Sequence, residues 1–322
     1  MNIHTHSSHT ANATAGEPKT NNQALAEYLP TSPKLGGHWL KKLCYPLLLL
    51  SVAICVFCGF KFKLNYGLCN MVFLVWAIFY LALCERIIPY KIQWHPSSTE
   101  WARDGIYLVL TLMGGGLATG AVYAVVAHIA PLHTSFALWA EVALALLLSS
   151  LGSYIFHRAG HEIPWLWRFH SVHHAAEKIN VSNNALNHIF DVFGRRILAL
   201  LPLALLGFSQ PALFIVGVFN TAQGYFAHAN VDVRLGIFNY CVGGPEQHRL
   251  HHSMDVQEAG HFSVDIPLWD FLLRSYTWKP GRVPAAIGIK YRMGLPPSNA
   301  IIASLLYPFQ RAKKRPAINS SP

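Results

Sequence analysis

Six apolar runs punctuate this chain, and their lengths decide what each can be. Leu43 to Phe60 and Gly67 to Cys84 each hold 18 residues, close to the roughly 20 that a helix needs to cross the hydrocarbon of a bilayer. The link between them carries Lys61, Lys63 and Asn65, so the pair predicts a transmembrane hairpin. Ile106 to Ala130 forms a third run, and Phe136 to Phe156 a fourth that only Glu141 interrupts. Gly114, Gly115, Gly116 and Gly120 lie in the third run. Small residues four apart let helices approach closely in lipid, although a glycine kink gives the same pattern. The last two runs, Ile197 to Phe208 and Ala212 to Phe226, are split by Gly207 and Pro211 and are short for a crossing. A re-entrant or tilted helical hairpin accommodates both.

The remaining segments divide the chain. Residues 1–37 are polar, with few large apolar groups, and read as a disordered tail in which His4, His6 and His9 are solvated. Residues 38–100 hold the first hairpin and a connecting loop, residues 101–290 a larger domain, and residues 291–322 a tail ending in the basic RAKKRP. Within that tail AIIASLLYP, residues 300–308, predicts a short surface helix. No secretory signal with a cleavage site precedes the first apolar run.

Composition strengthens the membrane reading. Charged residues make up 12% against 52% hydrophobic, and soluble domains carry about 25% charge, so too little remains to cover a water-facing surface. The formal net charge is +10. Lys and Arg flank the apolar runs instead of forming one patch, which fits anionic headgroups and argues against nucleic acid as a partner. With the N-terminus inside, the inner segments hold Lys34, Lys41, Lys42, Arg86, Lys91 and Arg103, whereas the outer ones hold Lys61 and Lys63. Basic residues favour the cytoplasmic side, so the termini are expected there. Cys44, Cys55, Cys58, Cys69 and Cys84 sit in or beside apolar runs and read as small apolar fillers, with no disulfide framework.

The chemistry is concentrated between His157 and His252, which enclose ten of the 18 histidines. HRAGH supplies His157 and His161, HSVHH supplies His170, His173 and His174, and HRLHH supplies His248, His251 and His252, with His188 and His228 between them. Residues three and four apart share a helix face, so each cluster aims its imidazoles at a common region. A single HxxxH is usually a solvated face. Three clusters beside apolar segments would instead be costly to desolvate unless something satisfied them, and a metal cage does so. No CxxC lies near the clusters and no ExxH occurs in them, which excludes a thiolate zinc site and the soluble carboxylate-bridged di-iron bundle. One structural zinc saturates at about four ligands, whereas this many imidazoles suffice for two redox metals with open positions and dioxygen chemistry. By the charge count the cage lies at the cytoplasmic face, where the fourth run ends in HRAGH. His128 and His133 then fall on the far side and are excluded as ligands. The fold expected is therefore an all-α integral membrane protein of about four transmembrane helices plus the helical hairpin, with a cytoplasmic-face histidine-rich metal site.

HRAGH, LWRFHSVHH, FAHAN and PEQHRLHHS, followed by PLWDFL, resemble the fatty acid hydroxylase / sterol desaturase superfamily of membrane di-iron enzymes over roughly residues 100 to 290. The chain departs from the pattern where His261, Phe262 and Ser263 replace an Asn-Tyr-Gly-like triplet; His261 itself is expected on a loop surface. The resemblance implies His157, His161, His170, His173, His174, His248, His251 and His252 as metal ligands, with His228 and His188 at further family positions. It also implies two Fe ions, replaceable by zinc in purified protein, O2 as co-substrate, and hydroxylation or desaturation of a lipid: fatty acyl, sterol or related. Without a GxGxxG fingerprint or a CxxCH haem motif, the electrons must arrive from outside. The resemblance points to a cytochrome b5, ferredoxin or rubredoxin with its reductase. Glu162, Asp191, Asp232, Glu246 and Asp255, with Asn183, Asn184 and Asn230, are candidates to hold the far ring nitrogens.

Three rival classes remain in view. An intramembrane metalloprotease needs HExxH, but His161-Glu162 is followed by Ile163, Pro164 and Trp165. A metal-binding or metal-transport protein without oxygenase activity would place ligands near mid-membrane, often in repeats. A lipid-binding scaffold that had lost catalysis would lack box residues, and all three boxes are intact.

Overall fold

The computed structural model describes residues 37–129, 134–289 and 294–310. Residues 1–36, and with them nearly all of the expected polar tail, lie outside it, as do His133 and the RAKKRP end. Among the described residues the regular structure is helical, and β pairing is limited to the isolated bridges Pro89–Val231 and Ser253–Ile287. Four helices among the described residues are long and apolar enough to cross a membrane: α1 (Gly37–Lys61), α2 (Tyr66–Ile87), α3 (Ser98–Val126) and α4 (Leu138–Glu162). Their outward faces are apolar, with Leu50, Ile54, Phe57, Val72, Val75, Phe79 and Val109 exposed. A surface of this kind suits lipid, not water.

Local signals set the ends. Asn65 caps α2 by accepting from the Leu68 amide. Ser97 and Glu100 close a capping box on α3, which begins eight residues ahead of the apolar run because this polar first turn extends the helix. Pro164, unable to continue α4, starts α5 (Pro164–His174) at a new angle. The two short runs become α6 (Ile189–Leu205) and α7 (Gln210–Ala227), joined by a turn in which Gly207 adopts φ +70°. This hairpin is the hub of the bundle: α6 lies against α3 and α4, and α7 against α1, α2 and α4.

Two glycines permit the tightest approaches. A Cβ at Gly152 would lie 2.1 Å from the Leu198 carbonyl oxygen, so α4 and α6 touch through backbone. A Cβ at Gly114 would lie 2.7 Å from the Ile189 carbonyl oxygen. Close packing, not a kink, is what the third run's first glycine serves. Glu141, the one charge in the fourth run, is buried and accepts from the Thr134 and Ser209 hydroxyls.

At the opposite end of α4 from Glu141, polar loops cover the bundle. Glu85 at the end of α2 accepts from the Val181 and Asn230 amides, at 2.6 and 2.8 Å. Over this end lie α8 (Pro245–His251), α9 (Leu268–Leu272) and α10 (Ile301–Leu306). The expected surface helix is thus present as α10, and Arg168 donates to the Tyr307 carbonyl just beyond it.

Candidate metal centre

Two groups of imidazoles converge beneath these loops. In the first, His157, His161, His170, His174 and His251 each offer one ring nitrogen, all within 4.8 Å of one another. In the second, His173, His228, His248 and His252 do the same. The groups abut, with the His174 and His252 rings stacked at 4.3 Å. Nine of the ten histidines between His157 and His252 are therefore gathered. Gly160 within HRAGH makes room, since a Cβ there would press on the His170 ring at 3.2 Å.

His188 is the exception. Its Nδ1 accepts from the Phe190 amide and caps α6, while its Nε2 faces the Leu305 carbonyl at 3.1 Å. Both nitrogens are engaged with backbone, so His188 stands apart from both groups. His128 is exposed and also joins neither. His261 departs from the surface position expected of it: it is buried, at φ +61°, and its Nε2 accepts from the Thr277 and Trp278 amides. Burial pushes it down to about pKa 3.

The far nitrogens identify the protonation pattern. Nδ1 of His157 faces the Phe262 carbonyl at 2.6 Å, His173 that of Leu186 at 3.2 Å, His228 that of Asn180 at 3.0 Å, and His251 that of Gly260 at 2.9 Å. A carbonyl only accepts, so each Nδ1 carries the proton and each Nε2 a lone pair. Nε2 of His157, His161, His228 and His251 is buried without a hydrogen-bond partner among the described residues. Nε2 of His252 lies 3.2 Å from both His173 Nε2 and His248 Nε2, and one proton cannot serve both. Converging lone pairs repel each other and invite a cation. This donor set fits metal ions, with all-nitrogen ligation suited to iron, copper or zinc.

Burial above all keeps His173, His174, His228, His248, His251 and His252 neutral. Burial pushes His228 down to about pKa 4, and burial with His170 alongside pushes His251 to about 3. Burial first, then neighbouring imidazoles, holds His173, His174, His248 and His252 well below the ordinary histidine range. Of the candidate carboxylates only Asp191 reaches a clustered histidine, at 3.3 Å from His170 Nδ1. Burial works against its charge, but His170, together with Arg195 and His188, outweighs it and keeps Asp191 below the usual carboxylate range. Glu162 pairs instead with Arg158, Asp232 with Lys41, and Glu246 braces Leu235 and Asn239. Asp255 caps its own turn through the Gln257 amide. Asn183 and Asn230 tie loops to backbone at Asn180 and Lys91.

Sequence reasoning missed Asp270 of PLWDFL. This fully buried carboxylate accepts from the Phe262 and Ser263 amides and the Ser275 hydroxyl. It fixes the strap whose Gly260 and Phe262 carbonyls orient His251 and His157. A buried Asp within a motif already noted was the available signal, whereas backbone acceptors leave none. Trp167 half covers the first group, 5.3 Å from His161 and 5.6 Å from His174, while Trp165 is exposed.

A helical membrane bundle carrying a double histidine cage defines a class of membrane metalloproteins. Residues 142–275 match the fatty acid hydroxylase family model, in keeping with the resemblance read from the histidine boxes. It is 28% identical to the ornithine lipid hydroxylase OlsE of Rhizobium tropici over 298 residues, 88% of each chain. It is 33% identical to the alkylglycerol monooxygenase of Danio rerio over 146 residues, 44% of this chain and 31% of that one. Against the alkylglycerol monooxygenase of Homo sapiens it is 32% identical over 109 residues, spanning 24% of that protein. No solved structure matches.

Proposed function

We propose that this protein is a membrane-bound non-haem di-iron oxygenase that hydroxylates a lipid, using O2 and two electrons from a separate donor. The observation that carries the reading is the pair of adjoining groups in which bare Nε2 lone pairs face inward. The first group would hold one iron through His157, His161, His170, His174 and His251, and the second another through His173, His228, His248 and His252. His188 braces α6 against α10 outside this set. Two irons so held would supply oxidation of an unactivated C–H bond. The chain's own share is position and exclusion of water: the strap at 260–263, the Leu186 and Asn180 carbonyls and Asp191 lock each ring, and the loops seal the centre. Hydroxylation is favoured over desaturation because the relatives above are named as hydroxylases and monooxygenases. The charge count that orients the helices supports a centre and termini at the cytoplasmic margin. There a cytochrome b5, ferredoxin or rubredoxin with its reductase could dock.

Two measurements test this. In-cell metal analysis should give about two irons per chain, and one zinc with no iron refutes the centre. Lipid profiles of cells with and without the chain should differ by one oxygen gained, whereas two hydrogens lost would mark a desaturase instead.

A further inference from the structure

On the membrane side of the histidine groups lies a cavity of about 320 Å³ between α3, α4, α6 and α7, and three of the clustered histidines, His157, His173 and His248, form its floor. Its walls are polar for a place enclosed by membrane helices. Arg195 and Arg196 both line it; Arg196 donates to the Thr119 hydroxyl, whereas Arg195 makes no hydrogen bond among the described residues and acts through its charge on Asp191 and on the floor histidines His173 and His248. Asn187 is buried and donates to the Asn184 carbonyl, but its Oδ1 has no partner. Asn220 Oδ1 is likewise buried and unmatched. Asp265 accepts from the Ser150 hydroxyl and the Ile266 amide through one oxygen. An acyl chain could satisfy none of these groups, and burying them beside one would be unfavourable.

We infer that this cavity receives a polar headgroup of the substrate lipid: an anionic carboxylate or phosphate on Arg195, and N–H or O–H donors on the Oδ1 atoms of Asn187 and Asn220. The inference rests on the lipid-oxygenase reading and sharpens it. Arg195 acts as a specificity residue. Its guanidinium pairs with an oxyanion in two-point geometry that an ammonium cannot reproduce. A headgroup held here lies against the floor formed by His157, His173 and His248, so the oxidised carbon belongs to the headgroup or the positions next to it, not to the far end of an acyl chain.

Binding and turnover test this separately. The probes are N-dodecanoylglycine, its methyl ester, dodecyl phosphate and inorganic phosphate, each titrated against the full-length metal-loaded protein in detergent. The acid and dodecyl phosphate should bind about tenfold to a hundredfold more tightly than the ester, and inorganic phosphate only weakly because it lacks the chain. Arg195→Gln should erase the preference with metal content unchanged, and Arg195→Lys should restore part of it. A wild-type protein indifferent to acid and ester, or an Arg195→Gln protein that keeps the preference, overturns the inference. If Arg195→Gln does not fold, Arg195→Lys decides alone: an undiminished preference overturns it. Acid binding lost in Arg195→Gln, with no lipid oxidised by the wild type, would uphold the headgroup site and sink the oxygenase. Oxidised lipid of any class from an unchanged Arg195→Gln protein would do the reverse.

Discussion

Stripping the metal and lowering the pH should expose how much the cage depends on neutral imidazoles. In the folded chain His228 titrates at about 4 and His251 at about 3, whereas an unfolded histidine titrates near 6.5. Their folded pKa values are depressed, so the unfolded state binds more protons once the pH falls below about 6.5, and stability falls with it. Above that pH both states are neutral and nothing is lost. At pH 5 each of these two residues costs about 2 kcal/mol relative to pH 7.5, and the pair about 4 if they titrate independently. That is a large part of an ordinary folding free energy of 5–15 kcal/mol. Chelator-treated protein in detergent should therefore melt at a progressively lower temperature from pH 7.5 to 5. Metal-loaded protein should resist until protons displace the cation. A melting temperature of stripped protein that is flat across this range would refute the neutral cage, and so would one that rises as the pH falls.

Other perturbations address individual supports. Asp191→Asn removes the charge behind His170 and should weaken metal binding roughly tenfold to a hundredfold in chelator competition; an unchanged affinity would show that the contact is idle. His188→Ala should leave two metals bound while lowering stability by about 1–2 kcal/mol through the lost cap and the lost tie to Leu305, and loss of a metal would return His188 to the ligand set. Gly152→Ala should cost about 1–3 kcal/mol by forcing α4 from α6, read as a lower melting temperature, and an unaltered melt would mean that the two backbones part freely.

The helices and most of the cage were legible because both obey simple periods. Apolar runs of bilayer length needed no tertiary information to be recognised, and histidines three and four apart announce a shared face. What could not be read was set by contacts remote in sequence. His188 carries the same side chain as its neighbours, and only the approach of Leu305 decides that its second nitrogen is taken. His261 looks like a loop histidine until the 277–278 amides close on it. Five nearby carboxylates were plausible supports for the rings, yet only Asp191 reaches one, and backbone carbonyls do most of that work. Carbonyls belong to every residue and so leave no mark in the sequence.

The repeated HxxHH spacing explains why two adjoining groups form instead of one crowded site. On a helix, positions i and i+4 diverge by about 40°, whereas i+3 and i+4 diverge by about 100°. In HSVHH, His170 and His174 accordingly go to the five-histidine group and His173 to the other. In HRLHH the allocation is exchanged: His248 and His252 serve the four-histidine group and His251 the first. Each of α5 and α8 with its cap thus gives two rings to one group and one to its neighbour. HRAGH then adds two to the first, and His228 adds one to the second. A displacement of either helix must disturb both groups together, so the spacing between the two centres is fixed by a single docking of α5 against α8. A metal held by the four-histidine group, with fewer nitrogens, would have more room for another ligand, and His173 and His248 bring that group to the floor of the Arg195 cavity.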